Sequence, residues 1–360
     1  MSADRYPRGA GVRFAGTIRG VRYGRFSTIV SMRAVALTLA LTIATLIVFV
    51  VSLSIGRFVV PPEDVIEALL ARGDGMARVV VVEWRLGRVS AAVVFGAALG
   101  AAGAIFQSLT RNPLGSPDVI GFSTGAYTGA LLAIVFLGGS FAVTAFGAVV
   151  GGALTATVVY LVAFRTRSGG FGIIIVGIAI AAVLSSVNTW ILLTARLEVA
   201  VSAAVWGMGS LNGVQWDRIL PAFVLLVAPL SAAGLMWRRM QLLEMGDDTA
   251  HSLGIRAERT RLMLIVCGVG ITAIVTAVIG PVAFVALSAP QIARRLTGTP
   301  SVSLLPSAVT GALLLASADI IAQHAFGGDL VLPVGVVTVS LGGCYLVWLI
   351  FRDARKRARR

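Results

Sequence analysis

The sequence predicts an all-α polytopic membrane protein with about ten transmembrane helices. Hydrophobic residues make up 57% of the 360-residue chain and charged residues only 13%, whereas soluble domains average about 45–50% and about 25%. Apolar runs long enough to cross about 30 Å of hydrocarbon recur along most of the chain. The 41 glycines suit closely packed membrane helices, because small residues let neighbouring backbones approach each other.

The predicted spans follow one another with mostly short connections. They cover 34–55, 88–109, 117–137, 142–164, 171–194, 218–237, 261–279, 281–296, 303–323 and 332–351. The first run has about 20 residues, too long for the apolar region of a signal peptide, so we interpret it as an uncleaved helix. Gly280-Pro281 divides the short seventh and eighth runs, which could also form one kinked span. The third run is expected to begin its helix at Ser116-Pro117-Asp118, a sequence typical of a helix start.

Two basic segments flank the membrane domain. Residues 1–33 are predicted to form a disordered cytoplasmic tail, residues 34–351 the transmembrane domain, and residues 352–360 a second cytoplasmic tail. Arginines also concentrate in alternate loops, and basic residues favour the cytoplasmic side. An even number of crossings with both termini in the cytoplasm satisfies this rule, and it predicts a multi-pass protein of the inner membrane. The net charge of +14 is therefore explained without nucleic-acid binding.

The longest cytoplasmic loop contains a predicted short helix. Asp247 and Asp248 favour a helix N-terminus, and Gly254 favours a C-terminal stop. The segment 246–258 could dock a partner protein or could be a solvated connector.

Few residues of the sequence are candidates for catalysis, proton transfer or metal binding. Gly121-Phe-Ser123-Thr-Gly125 matches the pattern of a serine nucleophile, which leaves an intramembrane serine protease as an alternative. Asp319 lies inside an apolar run and should face the bundle or a wet cavity. It could form a hydrogen bond to a neighbouring helix terminus, or a proton-driven transporter could use it. Ser185, Ser186 and Asn188 could line a translocation path or could join helices. No metal site is expected, since neither histidine has a partner at ligand spacing.

Several motifs together resemble the FecCD family of ABC importer permeases. They are Arg85-Leu-Gly-Arg88, the run from Gly96 to Gln107, the run from Arg111 to Gly121, the run from Gly246 to Ile255, Gly280-Pro-Val-Ala-Phe-Val-Ala-Leu, Ile292-Ala-Arg294, and the run from Leu332 to Thr338. Two positions depart from the family pattern: Gln291 stands where a histidine is usual, and Gly87 where a proline is frequent.

The resemblance implies a type II importer permease that carries a ferric siderophore, with haem or cobalamin as alternative cargo. It implies a second permease subunit, expected to be a paralogue, two ATPase subunits and an extracytoplasmic siderophore-binding protein. ATP and Mg²⁺ would be used by the ATPase, and this chain would bind no cofactor. The ATPase-coupling residues would be Gly246, Asp247, Asp248, Ala250, Leu253, Gly254 and Ile255. Arg57 and Arg72 would face the binding protein.

Overall fold

The computed structural model describes residues 18–23, 26–56, 58–70, 72, 75–165, 169–325 and 331–358. Within these residues the chain forms a short β-hairpin followed by a bundle of α-helices. The strands are β1 (Ile18–Tyr23) and β2 (Phe26–Ser31). The helices are α1 (Met32–Ser54), α2 (Pro62–Leu69), α3 (Met76–Arg78), a π-helical segment (Val79–Leu86), α4 (Gly87–Thr110), α5 (Phe122–Phe136), α6 (Phe141–Arg165), α7 (Gly169–Thr194), α8 (Leu197–Gly207), α9 (Trp216–Leu235), α10 (Trp237–Glu244), α11 (Asp247–Ser252), α12 (Ala257–Ile279), α13 (Val285–Thr297), α14 (Leu304–His324) and α15 (Val334–Ala358).

Seven helical segments of the described chain are long and apolar enough to cross a membrane. They are α1, the continuous segment Met76–Thr110, α6, α7, α9, α12 and α14. The other three predicted spans coincide with α5, α13 and the Val334–Trp348 part of α15, which are shorter. Every predicted span therefore contains a helix, while helix length alone supports seven crossings rather than ten.

The hairpin differs from the disorder expected for residues 1–33. Strands β1 and β2 pair antiparallel, from Ile18 opposite Ser31 to Tyr23 opposite Phe26. Val21, Tyr23, Phe26 and Ile29 are β-branched or aromatic residues, which favour strands over coil. Ser31 ends β2 and caps α1, since its hydroxyl accepts a hydrogen bond from the Ala34 amide. The expectation for residues 1–17 lies outside the described residues.

The start of the third predicted span is also different. Ser116 accepts a hydrogen bond from the Val119 amide, but the turn that it caps ends at Gly121, which has a φ of 87°. Helix α5 begins at Phe122. A left-handed residue cannot continue a right-handed helix, so the proline-containing turn and α5 are separate elements.

The continuous segment Met76–Thr110, which contains α4, is the most enclosed of the candidate spans, with 78% of its most apolar stretch buried. Within it, α4 packs closely on its neighbours. It packs against α14 through small residues. A side chain added at Gly100 would overlap the backbone of Ser307, and one added at Gly96 would overlap that of Gly311. Gly96 and Gly100, four residues apart, thus form a close helix contact, as small residues do in other membrane bundles.

Buried charges inside the bundle are paired or hydrogen-bonded. Asp319 on α14 is 2% exposed and lies 3.2 Å from the Arg88 Nε on α4. This placement agrees with the expectation that Asp319 faces the bundle. Arg85, in the π-helical segment, donates to the carbonyl oxygens of Leu53 and Ser54 at the end of α1. Terminal helix carbonyls lack partners inside their own helix, and Arg85 supplies the missing hydrogen-bond donors.

The two ends of the bundle are built differently. At one end, termed the loop end, Arg111 follows α4 and residues 244–257 connect α10 to α12. At the opposite end, three glycines bring the chain segments after α8, after α12 and at the start of α15 together. We term Gly209, Gly280 and Gly335 the glycine junction. The Gly335 amide donates to the Gly209 carbonyl at 3.1 Å, and the Ser210 amide donates to the Ile279 carbonyl at 2.7 Å.

Candidate functional site

The segment 246–255 forms a short helix with defined ends. Gly246 precedes α11 with φ 119° and ψ 153°, a conformation that is almost restricted to glycine. At the other end, the Ile255 amide donates to the Ala250 carbonyl and the Gly254 amide to the His251 carbonyl, both at 2.9 Å. With Gly254 at φ 79°, this pair of bonds is a Schellman motif, which ends helices at glycine. The predicted acidic start and glycine stop are both present.

Asp247 anchors this short helix to the membrane helices. Its carboxylate accepts a hydrogen bond from Arg111 Nη2 at 2.7 Å and two from Arg261 Nη2 at 2.9 Å. Arg111 follows α4, and Arg261 lies in α12. Ala250, on the inner face of α11, is fully buried, and Ile255 packs against the main core, so apolar contacts also fix the inner face of the segment.

Arg111 joins three elements. Its Nε and Nη2 donate to the Leu243 carbonyl near the end of α10, at 3.1 and 2.7 Å, in addition to the bond with Asp247. Its backbone has a φ of 50°, in the left-handed region that non-glycine residues seldom adopt. The left-handed turn ends α4 and directs the Arg111 guanidinium group toward the loop. The strained backbone conformation therefore positions the side chain that anchors the loop.

The titration of Asp247 reflects these partners. Partial burial raises the pKa of the Asp247 carboxyl, but the hydrogen bonds and charges of Arg261 and Arg111 outweigh burial, and the pKa is lowered from its ordinary value. Glu244, at the end of α10, shows the opposite result. Burial raises its pKa despite the nearby Ser108 hydroxyl and the Arg294 and Arg111 charges. Asp247 is thus an ionised anchor at neutral pH.

The outer face of the loop is unlike its inner face. Met245 and Leu253 are 68% and 58% exposed, and Asp248 and His251 are also exposed. We term these four residues the loop face. Isolated exposed apolar residues are common on proteins, but two flank a rigid turn of acidic and polar residues here. Such an arrangement suits a docking surface with apolar anchors and a polar rim.

The three candidate path residues on α7 are not brought together. Ser185 and Ser186 are exposed, whereas Asn188 is 4% exposed and its Oδ1 has no hydrogen-bond partner among the described residues. The Ser186 hydroxyl donates to the Ala182 carbonyl of its own helix at 3.1 Å. Arg72 is exposed in the segment after α2. Arg57 lies outside the described residues.

The Ser123 hydroxyl donates its hydrogen bond to a carboxylate rather than to the histidine base that a serine protease needs. It donates to Asp118 Oδ1 at 2.7 Å, and the residue is 8% exposed. His324 lies at the end of α14, where its Nδ1 is 2.9 Å from the Ile320 carbonyl oxygen. A serine protease requires a base that removes the serine proton, and this pair of contacts provides none.

Sequence reasoning did not identify Arg111 and Arg261 as anchors of the loop. Arg111 begins one of the FecCD-like runs, but it is 136 residues from Asp247 in the sequence. Arg261 is 14 residues from Asp247, far beyond the three or four residues at which side chains touch along one helix, and the two lie on different helices. Gln291 was noted as a substitution, and its Nε2 donates to the Pro113 carbonyl at 2.7 Å, linking α13 to the segment after α4.

Comparisons with known proteins agree with this architecture. The model of the FecCD transport family matches residues 20–352. Escherichia coli ferric enterobactin transport system permease protein FepG is 47% identical, over 91% of this chain and 99% of its own length. The probable siderophore transport system permease protein YfhA of Bacillus subtilis is 31% identical, over 86% of this chain and 92% of its own length. A solved inward-facing conformation of a metal-chelate type ABC transporter superposes with a TM-score of 0.78 at 27% identity, covering 88% of this chain and 99% of the other.

Proposed function

This chain belongs to the FecCD transport family, and from that premise we propose that it is the membrane permease subunit of an ABC importer that carries a ferric siderophore into the cytoplasm. The observation that carries the proposal is the loop face, an exposed turn fixed to α4 and α12 through Asp247. Because the relative of 47% identity is named a ferric enterobactin permease, we propose a ferric catecholate as the first cargo to test. Family members are transport subunits, so the chain is a multi-pass membrane protein and not an enzyme.

We propose ten crossings of the inner membrane, with both termini and the loop face in the cytoplasm. Besides the seven long segments, α5, α13 and α15 would supply the three remaining crossings. A helix of 13 residues such as α13 has a length of about 20 Å, since each residue adds about 1.5 Å. The connection 280–284 would therefore lie below the membrane surface, where the glycine junction encloses it in protein.

The coupling step follows from this orientation. A separate ATPase, which binds ATP and Mg²⁺, would contact the loop face formed by Met245, Asp248, His251 and Leu253. Movement of that contact would reach α4 and α12 directly, because Asp247 bonds to residues at the ends of both helices. The permease itself would bind no cofactor. It would contribute to transport by fitting the cargo differently in its two conformations.

We propose three kinds of partner. The ATP-driven assembly would contain a paralogous second permease subunit, two ATPase subunits and an extracytoplasmic siderophore-binding protein. Arg72 is exposed on the side proposed to face the binding protein, with Arg57 nearby in sequence. An exposed ion pair contributes about 0–1 kcal/mol, so such arginines would orient the binding protein rather than determine its affinity.

Uptake in a strain that lacks this chain tests the proposed cargo. Cells complemented with the wild-type chain should accumulate iron from a ferric catecholate, and uptake should require ATP and survive collapse of the proton gradient. Ferric citrate, a ferric hydroxamate, haem and cobalamin serve as competing cargoes. Restoration of haem or cobalamin uptake alone would contradict the siderophore assignment.

Substitutions in the loop face test the coupling assignment. Asp248→Lys and Leu253→Asp should abolish uptake while the chain still inserts and purifies as a folded protein. Glu258→Lys is the matched control, because Glu258 is an exposed acidic residue in the first turn of α12 outside the loop face. Normal uptake in both loop-face variants would rule out this surface as the ATPase contact.

A further inference from the structure

A groove at the loop end lies apart from the coupling site. It has a volume of about 800 Å³ and runs between α1, the adjoining ends of α9 and α10, and the connection from α13 to α14. Val35 and Leu39 of α1 form one wall, and Leu304 and Leu305 of α14 contribute to the opposite wall. The volume falls in the range of about 300–1,000 Å³ that is usual for small-molecule sites.

The two ends of the groove differ in polarity. Ser31, Thr299, Ser301 and Ser303 line the end nearest the hairpin. Farther along α1 the wall includes Thr38 and Thr42, but their hydroxyls donate to the carbonyls of Ala34 and Thr38, at 2.7 and 2.8 Å. The Thr299 hydroxyl also donates to a carbonyl, that of Ser301 at 3.2 Å. The serine hydroxyls of Ser31, Ser301 and Ser303 are therefore the ones that remain to donate at this end of the groove.

Cationic and aromatic side chains lie in or beside the groove. Arg33 adjoins the groove residue Ala34, and its Nε donates to the Leu296 carbonyl at 3.1 Å. A Cβ added at Gly298, which precedes the lining residue Thr299, would lie 3.2 Å from Arg33 Nη1, so the guanidinium lies next to the connection that lines the groove. Trp237 lines the groove, and the Arg238 guanidinium carbon lies 6.0 Å from its ring centroid. Tryptophan and arginine together are typical of the membrane–water boundary. No acidic residue is found among the described residues of the lining.

The groove opens toward lipid rather than toward the interior of the bundle. Only 6% of the best apolar window of α1 is buried. Leu39, Ile43 and Leu46 are 50% or more exposed on this helix. Helix α1 packs mainly against α14, so the space beside it is continuous with the surface that would face acyl chains.

We propose that this groove binds one anionic phospholipid of the cytoplasmic leaflet. Arg33, Arg238 and the hydroxyl groups of the polar end would hold the phosphate, and an acyl chain would lie along Val35 and Leu39. Basic pockets between membrane helices on the cytoplasmic side have the chemistry to bind anionic lipid headgroups. The sidedness rests on the orientation proposed above, but binding itself can be measured without any transport assay.

Native mass spectrometry of the purified full-length assembly tests occupancy. Phosphatidylglycerol and phosphatidylcholine with identical acyl chains are the probes. Gly234 lines the groove and a Cβ added there meets nothing within 4 Å, so the ring of Gly234→Phe should enter the groove rather than overlap its own helix packing. It should abolish the one-to-one lipid adduct. Gly270→Phe is the control, since Gly270 is equally open but lies on α12, outside the groove.

The arginines test the headgroup preference. Arg33→Gln or Arg238→Gln should each lower the preference for phosphatidylglycerol over phosphatidylcholine about fivefold, which corresponds to the roughly 1 kcal/mol of one basic side chain at an anionic surface. Equal binding of both lipids by the wild-type protein would overturn the anionic assignment. An unchanged adduct in Gly234→Phe would overturn the site. If the wild-type protein binds the lipid as expected but does not restore siderophore uptake, only the proposed function is contradicted.

Discussion

The loop end and the glycine junction solve the same problem, the joining of three chain segments, in opposite ways. At the loop end, long side chains reach across the gaps, and Asp247 is held by Arg111 and Arg261. At the glycine junction, the backbones themselves touch, and the Gly335 amide bonds to the Gly209 carbonyl. Side-chain bonds can be exchanged for bonds to a partner or to water, whereas backbones in contact leave no room for a small adjustment. The end that is proposed to receive an ATPase is the one with exchangeable contacts.

Adding one methyl group at the junction should have the largest effect. Gly335→Ala would place a Cβ on the Met208 carbonyl oxygen, and overpacking of a close contact costs about 1–3 kcal/mol. We expect a lower thermal unfolding midpoint and a lower yield of folded protein in detergent. Gly343→Ala, also on α15, is the control, because its Cβ meets nothing within 4 Å. Alanine should be neutral there or stabilise the helix by up to about 1 kcal/mol. Equal midpoints for the two variants would mean that the junction is not tightly packed.

Removing the Arg111 side chain should have a moderate effect on stability and a larger one on transport. Asparagine tolerates the left-handed conformation, so Arg111→Asn removes the bonds to Leu243 and Asp247 while it preserves the turn. The Arg111 side chain is 43% exposed, so the ion pair should contribute at most about 1 kcal/mol to folding. Siderophore uptake and ATPase stimulation should fall much further. Arg259→Asn, at an exposed position in the first turn of α12, should leave both unchanged. Equal uptake in the two variants would contradict a coupling role for Arg111.

The lowered pKa of Asp247 predicts a pH dependence confined to the loop end. A carboxyl whose pKa is lowered on folding stabilises the folded state above its unfolded pKa of about 4, and this stabilisation is lost as pH falls through the folded value. The difference in unfolding midpoint between the wild-type protein and Asp247→Asn should therefore be constant above about pH 5 and shrink at more acidic pH. Asp248→Asn is the matched control, since Asp248 is exposed. A difference independent of pH would show that the carboxylate charge is not the anchor.

The smallest effect on unfolding of the whole bundle is expected at Gly254, because substitution there acts only on the local structure of the loop. A side chain there meets nothing within 4 Å, so only the φ of 79° opposes substitution. Gly254→Ala should cost about 1–2 kcal/mol in the local structure of the loop, and Gly254→Asn should cost less. ATPase binding, measured by titration of the purified subunit, should weaken about tenfold for alanine and less for asparagine. If the two variants bind equally well, the Schellman turn does not determine the docking geometry.

The sequence predicted local features better than the contacts between distant segments. Asp247 and Gly254 were identified as helix signals because capping depends on neighbours within a few residues. The link from Asp247 to Arg111 could not be deduced, since it depends on how α4 and α12 pack. The same limit applies to Asp319, whose burial was expected but whose partner Arg88 was not. Helix α5 began later than predicted because Gly121 adopts a left-handed conformation that residue type alone permits but does not require.

The direct bond from Arg111 to the loop has a mechanical consequence. Helix α4 belongs to the most enclosed candidate span, and Arg111 follows it immediately. A force applied to the loop face would be transmitted along the axis of this central helix without passing through a flexible hinge. The helix would carry that load across the membrane toward Arg85, whose bonds to the end of α1 lie on the far side. A rigid helix could thus let ATPase contact in the cytoplasm shift the residues at the opposite end, where the cargo would enter.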